Sequence, residues 1–201
     1  MPSLPSSPAD SSVLLVQITD SHLFAEADGR LLGLATEESL RMVLAQVREE
    51  QPRIDLVLAT GDLSQDGSRA SYQRFAGLIE SLGAPARWTP GNHDDAATMR
   101  AFCAGGEQLE PVVDVGAWRI VLLDSAVPGA VLGHFADEQL QLLERALAEA
   151  PERHCLICFH HHPVPIGCAW MDPIGLANAE ALFAVTDRFP QVRAMLWGHI
   201  H

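Results

Sequence analysis

Basic side chains are scarce in this sequence of 201 residues. Thirteen lysine and arginine residues stand against 26 aspartate and glutamate residues, which gives a formal net charge of −13. A field of that sign repels polyanions, so we do not expect a nucleic acid polymer as a partner. A small anion is still an acceptable ligand if cations in its binding site reverse the local charge.

Cysteine is also scarce, and its spacing is not that of a disulfide framework. The four residues are Cys103, Cys155, Cys158 and Cys168, and a chain of this length can build a core without disulfides. Cys155 and Cys158 lie three apart in a strand-like run, where their side chains point to opposite faces. We therefore predict neither a zinc nor a redox site at this pair, and we expect a cytoplasmic protein in a reducing compartment.

Long apolar runs are absent. No stretch approaches the roughly 18 to 20 apolar residues that a membrane-spanning helix needs, so we expect no membrane partner. The start, MPSLPSSPADSS, lacks the basic region and apolar run of a secretory leader. We predict a disordered tail over residues 1–12 and one α/β domain over residues 13–201.

Five apolar, strand-like runs each stop at a cluster of residues that can bind metals. Seven of the nine histidines fall in these five places. Because α/β sheets bring the carboxyl ends of their strands to one edge, the clusters are predicted to meet in one pocket. The runs are VLLVQIT before Asp20-Ser21-His22, LVLAT before Gly61-Asp62, ARWTP before Gly91-Asn92-His93-Asp94, CLICF before His160-His161-His162, and AMLW before Gly198-His199-Ile200-His201.

Stretches with helical spacing alternate with these runs, at residues 36–47, 68–82, 95–102, 137–150 and 178–189. The alternation predicts βαβ units around a mainly parallel sheet. The pair VVDVG and WRIVLLD breaks it, and Gly116-Ala117 between them predicts a hairpin. This pattern favours a sheet with switched strand order, or two stacked sheets, over a simple doubly wound fold.

The mixture of aspartate, asparagine and histidine indicates which ions fit. Borderline transition metals accept imidazole nitrogen as well as oxygen, so the set favours iron, manganese, zinc or cobalt over calcium. Two ions about 3.5 to 4 Å apart can share one bridging carboxylate. Asp62 is the expected bridge, because Gly61 before it lets backbone come close to the ions.

In this order, the five clusters resemble the calcineurin-like metallophosphoesterase superfamily. The strings QITDSHLF, GDLSQDGS, TPGNHDD, HHHPVPIG and WGHIH are similar to those of the bacterial class III cyclic nucleotide phosphodiesterases. The resemblance implies stacked mixed β-sheets flanked by helices, in four layers α/β/β/α. It normally continues through further strands beyond the Gly-His-x-His motif, so we expect a domain incomplete at its C-terminal end, weaker in activity and with a tendency to form a homodimer.

The resemblance also implies roles for individual residues. The triple histidine supplies His161, two residues before Pro163, while His160 and His162 would face the other side as packing or supporting residues. His93 matches the catalytic histidine, oriented by Asp66 or Asp94, and Asn92 and His93 are weaker candidates for substrate binding. The resemblance implies iron or manganese as the ions. The first ion would be held by Asp20, His22, Asp62 and His201, and the second by Asp62, Asn92, His161 and His199.

The implied reaction is hydrolysis of a small phosphodiester, with cyclic AMP giving 5′-AMP. A hydroxide between the ions would attack phosphorus and His93 would protonate the leaving oxygen, or stabilise its charge. The ligand set is equally compatible with a glycerophosphodiesterase, a nucleotide pyrophosphatase or a broad phosphatase, since loops decide substrate choice. A non-catalytic interaction module with the same fold is the alternative from a different class.

Overall fold

A computed structural model of the protein describes residues 12–201, so the predicted tail lies outside the described residues except for Ser12. The strands are β1 (Leu15–Ile18), β2 (Arg30–Leu31), β3 (Leu34–Ala35), β4 (Leu56–Thr60), β5 (Ala86–Thr89), β6 (Val112–Val115), β7 (Trp118–Leu122), β8 (His154–Cys158) and β9 (Val192–Leu196). The helices are α1 (Thr36–Glu50), α2 (Arg69–Glu80), α3 (Ala96–Phe102), α4 (Asp137–Ala148) and α5 (Ala179–Thr186), with a short 3₁₀ helix at Asp172–Ile174.

The larger strands form two sheets. One is parallel, in the order β1-β4-β5, and the other follows the order β6-β7-β8-β9. In the second sheet β6 and β7 are antiparallel, with Val115 paired to Trp118 across the turn, which confirms the predicted hairpin. The remaining pairs, β7 with β8 and β8 with β9, are parallel. The two-residue hairpin β2-β3 has no counterpart among the predicted strands.

Side-chain alternation along the strands stacks the sheets face to face. Leu58 of β4 packs in one cluster with Ile120 of β7 and Leu156 of β8, so this cluster lies between the sheets. Val57, the neighbour of Leu58, packs instead with residues of α1, α2 and α3. Ile157, the neighbour of Leu156, packs with residues of α4 and α5. The predicted four layers α/β/β/α are confirmed.

The same alternation settles the position of the Cys-x-x-Cys pair. Cys155 packs in the cluster beneath α4 and α5, whereas Cys158 packs between the sheets. Both are buried, and burial raises the pKa of the Cys155 thiol to about 11. The two side chains therefore lie on opposite faces of β8, as predicted.

Side-chain caps fix the start of two helices. Ser68 accepts a hydrogen bond from the N–H of Ser71 at 3.1 Å, and Asp95 accepts one from the N–H of Thr98 at 2.6 Å. The helices α2 and α3 therefore each begin one residue after the predicted start. The helix α5 is shorter than predicted, because a turn replaces its last three residues. Over residues 12–201, none of the helices has the length and apolar character required to cross a bilayer.

Candidate metal centre

The five clusters meet where the two sheets end. Backbone hydrogen bonds join their loops directly: the N–H of Asp20 donates to the carbonyl of Gly61 at 3.0 Å, and the N–H of Gly198 donates to the carbonyl of His160 at 3.0 Å. Ligand atoms in each of four overlapping groups lie within 4.8 Å of one another. The groups are His160, His161 and His199; Asp20, His22 and His201; His22, Asp62 and His93; and Asp20, Asp62 and His160.

Asp62 lies at the centre of these groups. Its side chain is buried, and its Oδ2 is 3.9 Å from Nε2 of His22 and 3.3 Å from Nε2 of His160. Its Oδ1 accepts the N–H of His93 at 2.8 Å. Burial raises the pKa of Asp62, but the hydrogen bond and charge of His160 and the N–H of His93 outweigh it, so the pKa lies far below its usual value. The Asp62 side chain is therefore an anion in contact with donors on two sides.

Unusual backbone conformations are concentrated in this region. Asp20, His22, Asp62 and His199 all have positive φ, between 45° and 71°. For residues other than glycine such a conformation costs on the order of 1 to 3 kcal/mol, and it persists where surrounding contacts enforce it. Gly61 has a φ of 93°, and a Cβ there would lie 2.5 Å from Nδ1 of His160. The predicted need for glycine at this position is thereby explained by the histidine above it.

One of the groups near Asp62 consists of Asp20, His22 and His201. Nε2 of His22 lies 3.2 Å from Nε2 of His201, and the latter lies 3.8 Å from Oδ1 of Asp20. Asp20 also accepts the N–H of His199 at 3.1 Å. Burial lowers the pKa of His22, which favours the neutral ring that binds metals.

A second group contains His160 and His199, whose ring centroids are 5.1 Å apart. His160 is fully buried; its Nδ1 donates to the carbonyl of Thr60 at 2.9 Å, and its Nε2 faces Oδ2 of Asp62 at 3.3 Å. The expectation that His160 faces away from the ligand cluster is wrong. Side chains alternate beyond the end of β8, so His160 lies on the same side as Cys158, towards the other sheet, and Asp62 lies on that side.

His161 is held in a different way. Its Nδ1 lies 2.8 Å from the hydroxyl of Ser125, and its Nε2 lies 3.1 Å from the carbonyl of Val131. Both ring nitrogens therefore have protein partners in the loop that follows β7. Burial lowers the pKa of His161 to about 3, so the ring is neutral. His162 is also buried and stacks on the ring of His199, with centroids 5.6 Å apart.

The loops that carry Asp62 and His93 are joined by a half-buried carboxylate. Asp94 accepts the backbone N–H groups of Leu63, Ser64 and Gly91 at 3.2, 3.0 and 2.9 Å, and the hydroxyl of Tyr72 at 3.2 Å. Burial, opposed by the backbone hydrogen bonds, raises the pKa of Asp94 to about 6. Asp94 therefore fixes the backbone of both loops.

Neither predicted partner orients the ring of His93. Asp94 is engaged by backbone groups, and Asp66 accepts the N–H groups of Ala25 and Ser68. Gln65 takes this place instead, with its Nε2 3.1 Å from Nδ1 of His93. A glutamine side chain carries no metal-ligand signature, so the sequence contained no signal for it.

A family profile described as calcineurin-like phosphoesterase matches residues 13–201. The chain belongs to this family. The phosphoesterase is 59% identical over 192 residues to a Pseudomonas aeruginosa protein named 3′,5′-cyclic adenosine monophosphate phosphodiesterase CpdA, an alignment that covers 96% of this chain and 71% of the relative. The relative of the same name from Escherichia coli K12 is 47% identical over 194 residues, or 96% of this chain and 70% of the relative.

The fold of the phosphoesterase is also similar to solved structures. A dimetal phosphatase from Danio rerio superposes with a TM-score of 0.73 at 18% identity, covering 94% of this chain and 82% of that one. Purple acid phosphatase PPD1 from yellow lupin gives a TM-score of 0.66 at 20% identity, covering 97% and 39%. At these identities the likeness supports the fold, which agrees with the four layers described above.

Proposed function

We propose that this phosphoesterase is a two-metal phosphodiesterase that hydrolyses 3′,5′-cyclic AMP to 5′-AMP. The observation that carries the proposal is the position of Asp62, whose buried Oδ2 lies within 3.9 Å of both His22 and His160. A carboxylate so placed can bridge two ions. The choice of substrate is supported by the 59% identity to the Pseudomonas aeruginosa relative and its name.

Two buried polar atoms support metal binding at this place. Within residues 12–201, Oδ1 of Asn92 has no hydrogen-bond partner, and Nε2 of His160 has no partner other than its contact with Asp62. A buried polar atom left without a partner costs roughly 1 to 3 kcal/mol, so such atoms are usually explained by an ion or water. Nitrogen and oxygen donors together suit iron, manganese, zinc or cobalt, and we propose iron or manganese.

We assign the ligands from these contacts and retain Asn92 from the set that the resemblance implies. His160 replaces His161 in that set, because Nε2 of His160 faces Asp62 whereas both nitrogens of His161 have partners in the loop after β7. The first ion would be held by Asp20, His22, Asp62 and His201, and the second by Asp62, Asn92, His160 and His199.

Bound in this way, two cations would polarise the phosphate and acidify a water molecule as the nucleophile. The residues of the protein orient the groups that act on the substrate. Asp94 holds the loops of Asp62 and His93 together, and His93 lies in one ligand group with His22 and Asp62, where the phosphate would lie. His93 is exposed, and its ring is 5.0 Å from that of His22, so it can approach the leaving oxygen and protonate it or stabilise its charge.

The test is a comparison of substrates on the full chain loaded with Mn²⁺ or Fe²⁺. We expect two ions per chain and the highest kcat/KM for cyclic AMP, above a glycerophosphodiester, a dinucleotide pyrophosphate and a nitrophenyl diester. A preference for the glycerophosphodiester or the pyrophosphate would contradict the substrate and leave the two-metal site intact. Two bound ions with no hydrolysis of any substrate would contradict the enzymatic assignment.

A further inference from the structure

His93 has a fixed backbone but an exposed ring. Its N–H is bound to Asp62 at 2.8 Å, which places the Cα next to the ligand cluster. The ring itself is largely open to solvent, so its orientation depends on whatever side chain contacts it. A group that acts on a leaving oxygen must be held close to the productive geometry, and an exposed ring with free rotation would be held poorly.

Gln65 supplies the contact. Its side-chain Nε2 lies 3.1 Å from Nδ1 of His93, and its own backbone N–H donates to the carbonyl of Leu23 at 2.8 Å. The preceding residue, Ser64, is bound to Asp94 through its N–H. Gln65 therefore extends from a loop that is anchored at Ser64 and at Gln65 itself, and it can fix the ring from a rigid base.

The chemistry of the amide decides which nitrogen of His93 carries the proton. An amide NH₂ is a donor, so Nδ1 must accept, and in the neutral ring the proton then lies on Nε2. Among residues 12–201, this nitrogen has no hydrogen-bond partner, in contrast to Nδ1. An amide also carries no charge, so unlike a carboxylate at the same place it does not compete with Asp62 for cations.

We propose that Gln65 is a positioning residue for His93. It holds the ring with Nε2–H directed to the substrate, so that His93 donates a hydrogen bond to the leaving oxygen as negative charge develops there. The inference rests on the proposed function for its effect on turnover, but not for the contact itself. The hydrogen bond should matter most when the leaving oxygen is a poor leaving group, as in cyclic AMP, and least for a nitrophenolate.

Two variants test the contact without an activity measurement. Gln65→Met keeps the length of the side chain and removes the hydrogen bond, and Gln73→Met makes the same change on the exposed surface of α2 as the control. The imidazole ¹⁵N signals of His93, assigned by their loss in His93→Ala, should show Nδ1 as acceptor in the unchanged protein and in Gln73→Met. They should shift towards a mixture of tautomers in Gln65→Met. Identical His93 signals in all three proteins would overturn the proposal.

Kinetics test the consequence on the Mn²⁺-loaded protein. Gln65→Met should lower kcat for cyclic AMP by about tenfold and for a bis-nitrophenyl diester by no more than about twofold, with unchanged metal content. Added to His93→Ala it should cost nothing more, because the residue it positions is gone. Equal losses for both substrates, or a further loss of similar size in the double variant, would overturn the inference. If the unchanged protein hydrolyses no diester, the proposed function fails, and the ¹⁵N signals still decide the role of Gln65.

Discussion

Asp62 and Asp94 bind each other's loops. Asp62 accepts the N–H of His93, next to Asp94, while Asp94 accepts the N–H groups of Leu63 and Ser64, which follow Asp62. The exchange fixes a strained backbone, because Asp62 has a φ of 51°. Two negative side chains so close are tolerable since one is bound by four donors and the other faces histidine rings.

Asp94→Asn should weaken both the fold and the metal site. The amide replaces one acceptor oxygen by a donor that faces backbone N–H groups, so we expect a loss of about 3 kcal/mol in the free energy of unfolding of the metal-free protein. Tyr72→Phe, which removes one of the four donors, should cost about 1 kcal/mol. Urea unfolding measures both, and metal titration at a temperature where each variant is folded should give weaker binding for Asp94→Asn. Unchanged metal affinity would show that Asp94 serves stability alone.

Asp62→Asn should cause a larger loss of metal than any other single ligand change. One carboxylate contacts both ligand groups, and without its charge two cations would repel each other across it. Elemental analysis and metal titration should show weaker binding at both sites together. Two tightly bound ions with near-native turnover would contradict the bridging role.

His160→Ala and His161→Ala separate the two candidate ligands in the triple histidine. The first removes the nitrogen that faces Asp62, so the protein should hold one ion instead of two. The second removes a ring bound to Ser125 and Val131, so it should keep two ions and lose stability by roughly 2 kcal/mol from its buried contacts. The reverse result, with one ion lost only in His161→Ala, would restore the ligand implied by the sequence.

His93→Ala should keep both ions and reduce turnover of cyclic AMP by about 10² to 10⁴. Its ring is exposed, so the fold should be unaffected. A diester with an acidic leaving group needs less help and should lose less. Loss of an ion in this variant would instead make His93 a ligand.

The sequence predicted the sheets and most of the site because both depend on periodic signals. Side chains along β4, β7 and β8 point alternately towards the helices and towards the opposite sheet. The clusters of metal-binding residues each follow the end of a strand. His160 and His161 are adjacent, so the choice between them depends on which face each side chain takes at the end of β8 and on the position of Ser125. Both depend on contacts between residues that are far apart in the sequence. Gln65 was missed because an uncharged amide at a loop position is equally common where nothing is bound.

The inter-sheet layer has a consequence for how this site can change over evolutionary time. Asp62 follows β4 of one sheet and His160 follows β8 of the other, and their side chains meet at 3.3 Å. The thickness of the apolar layer formed by Leu58, Ile120 and Leu156 therefore sets the distance between the ligand residues that the two sheets carry. A substitution that thins this layer, such as Leu58→Ala, would bring the ligand residues of the two sheets closer together as well as weaken the packing of the core. The volume of this layer and the geometry of the candidate metal centre are thus linked, although no side chain of the layer belongs to the ligand groups.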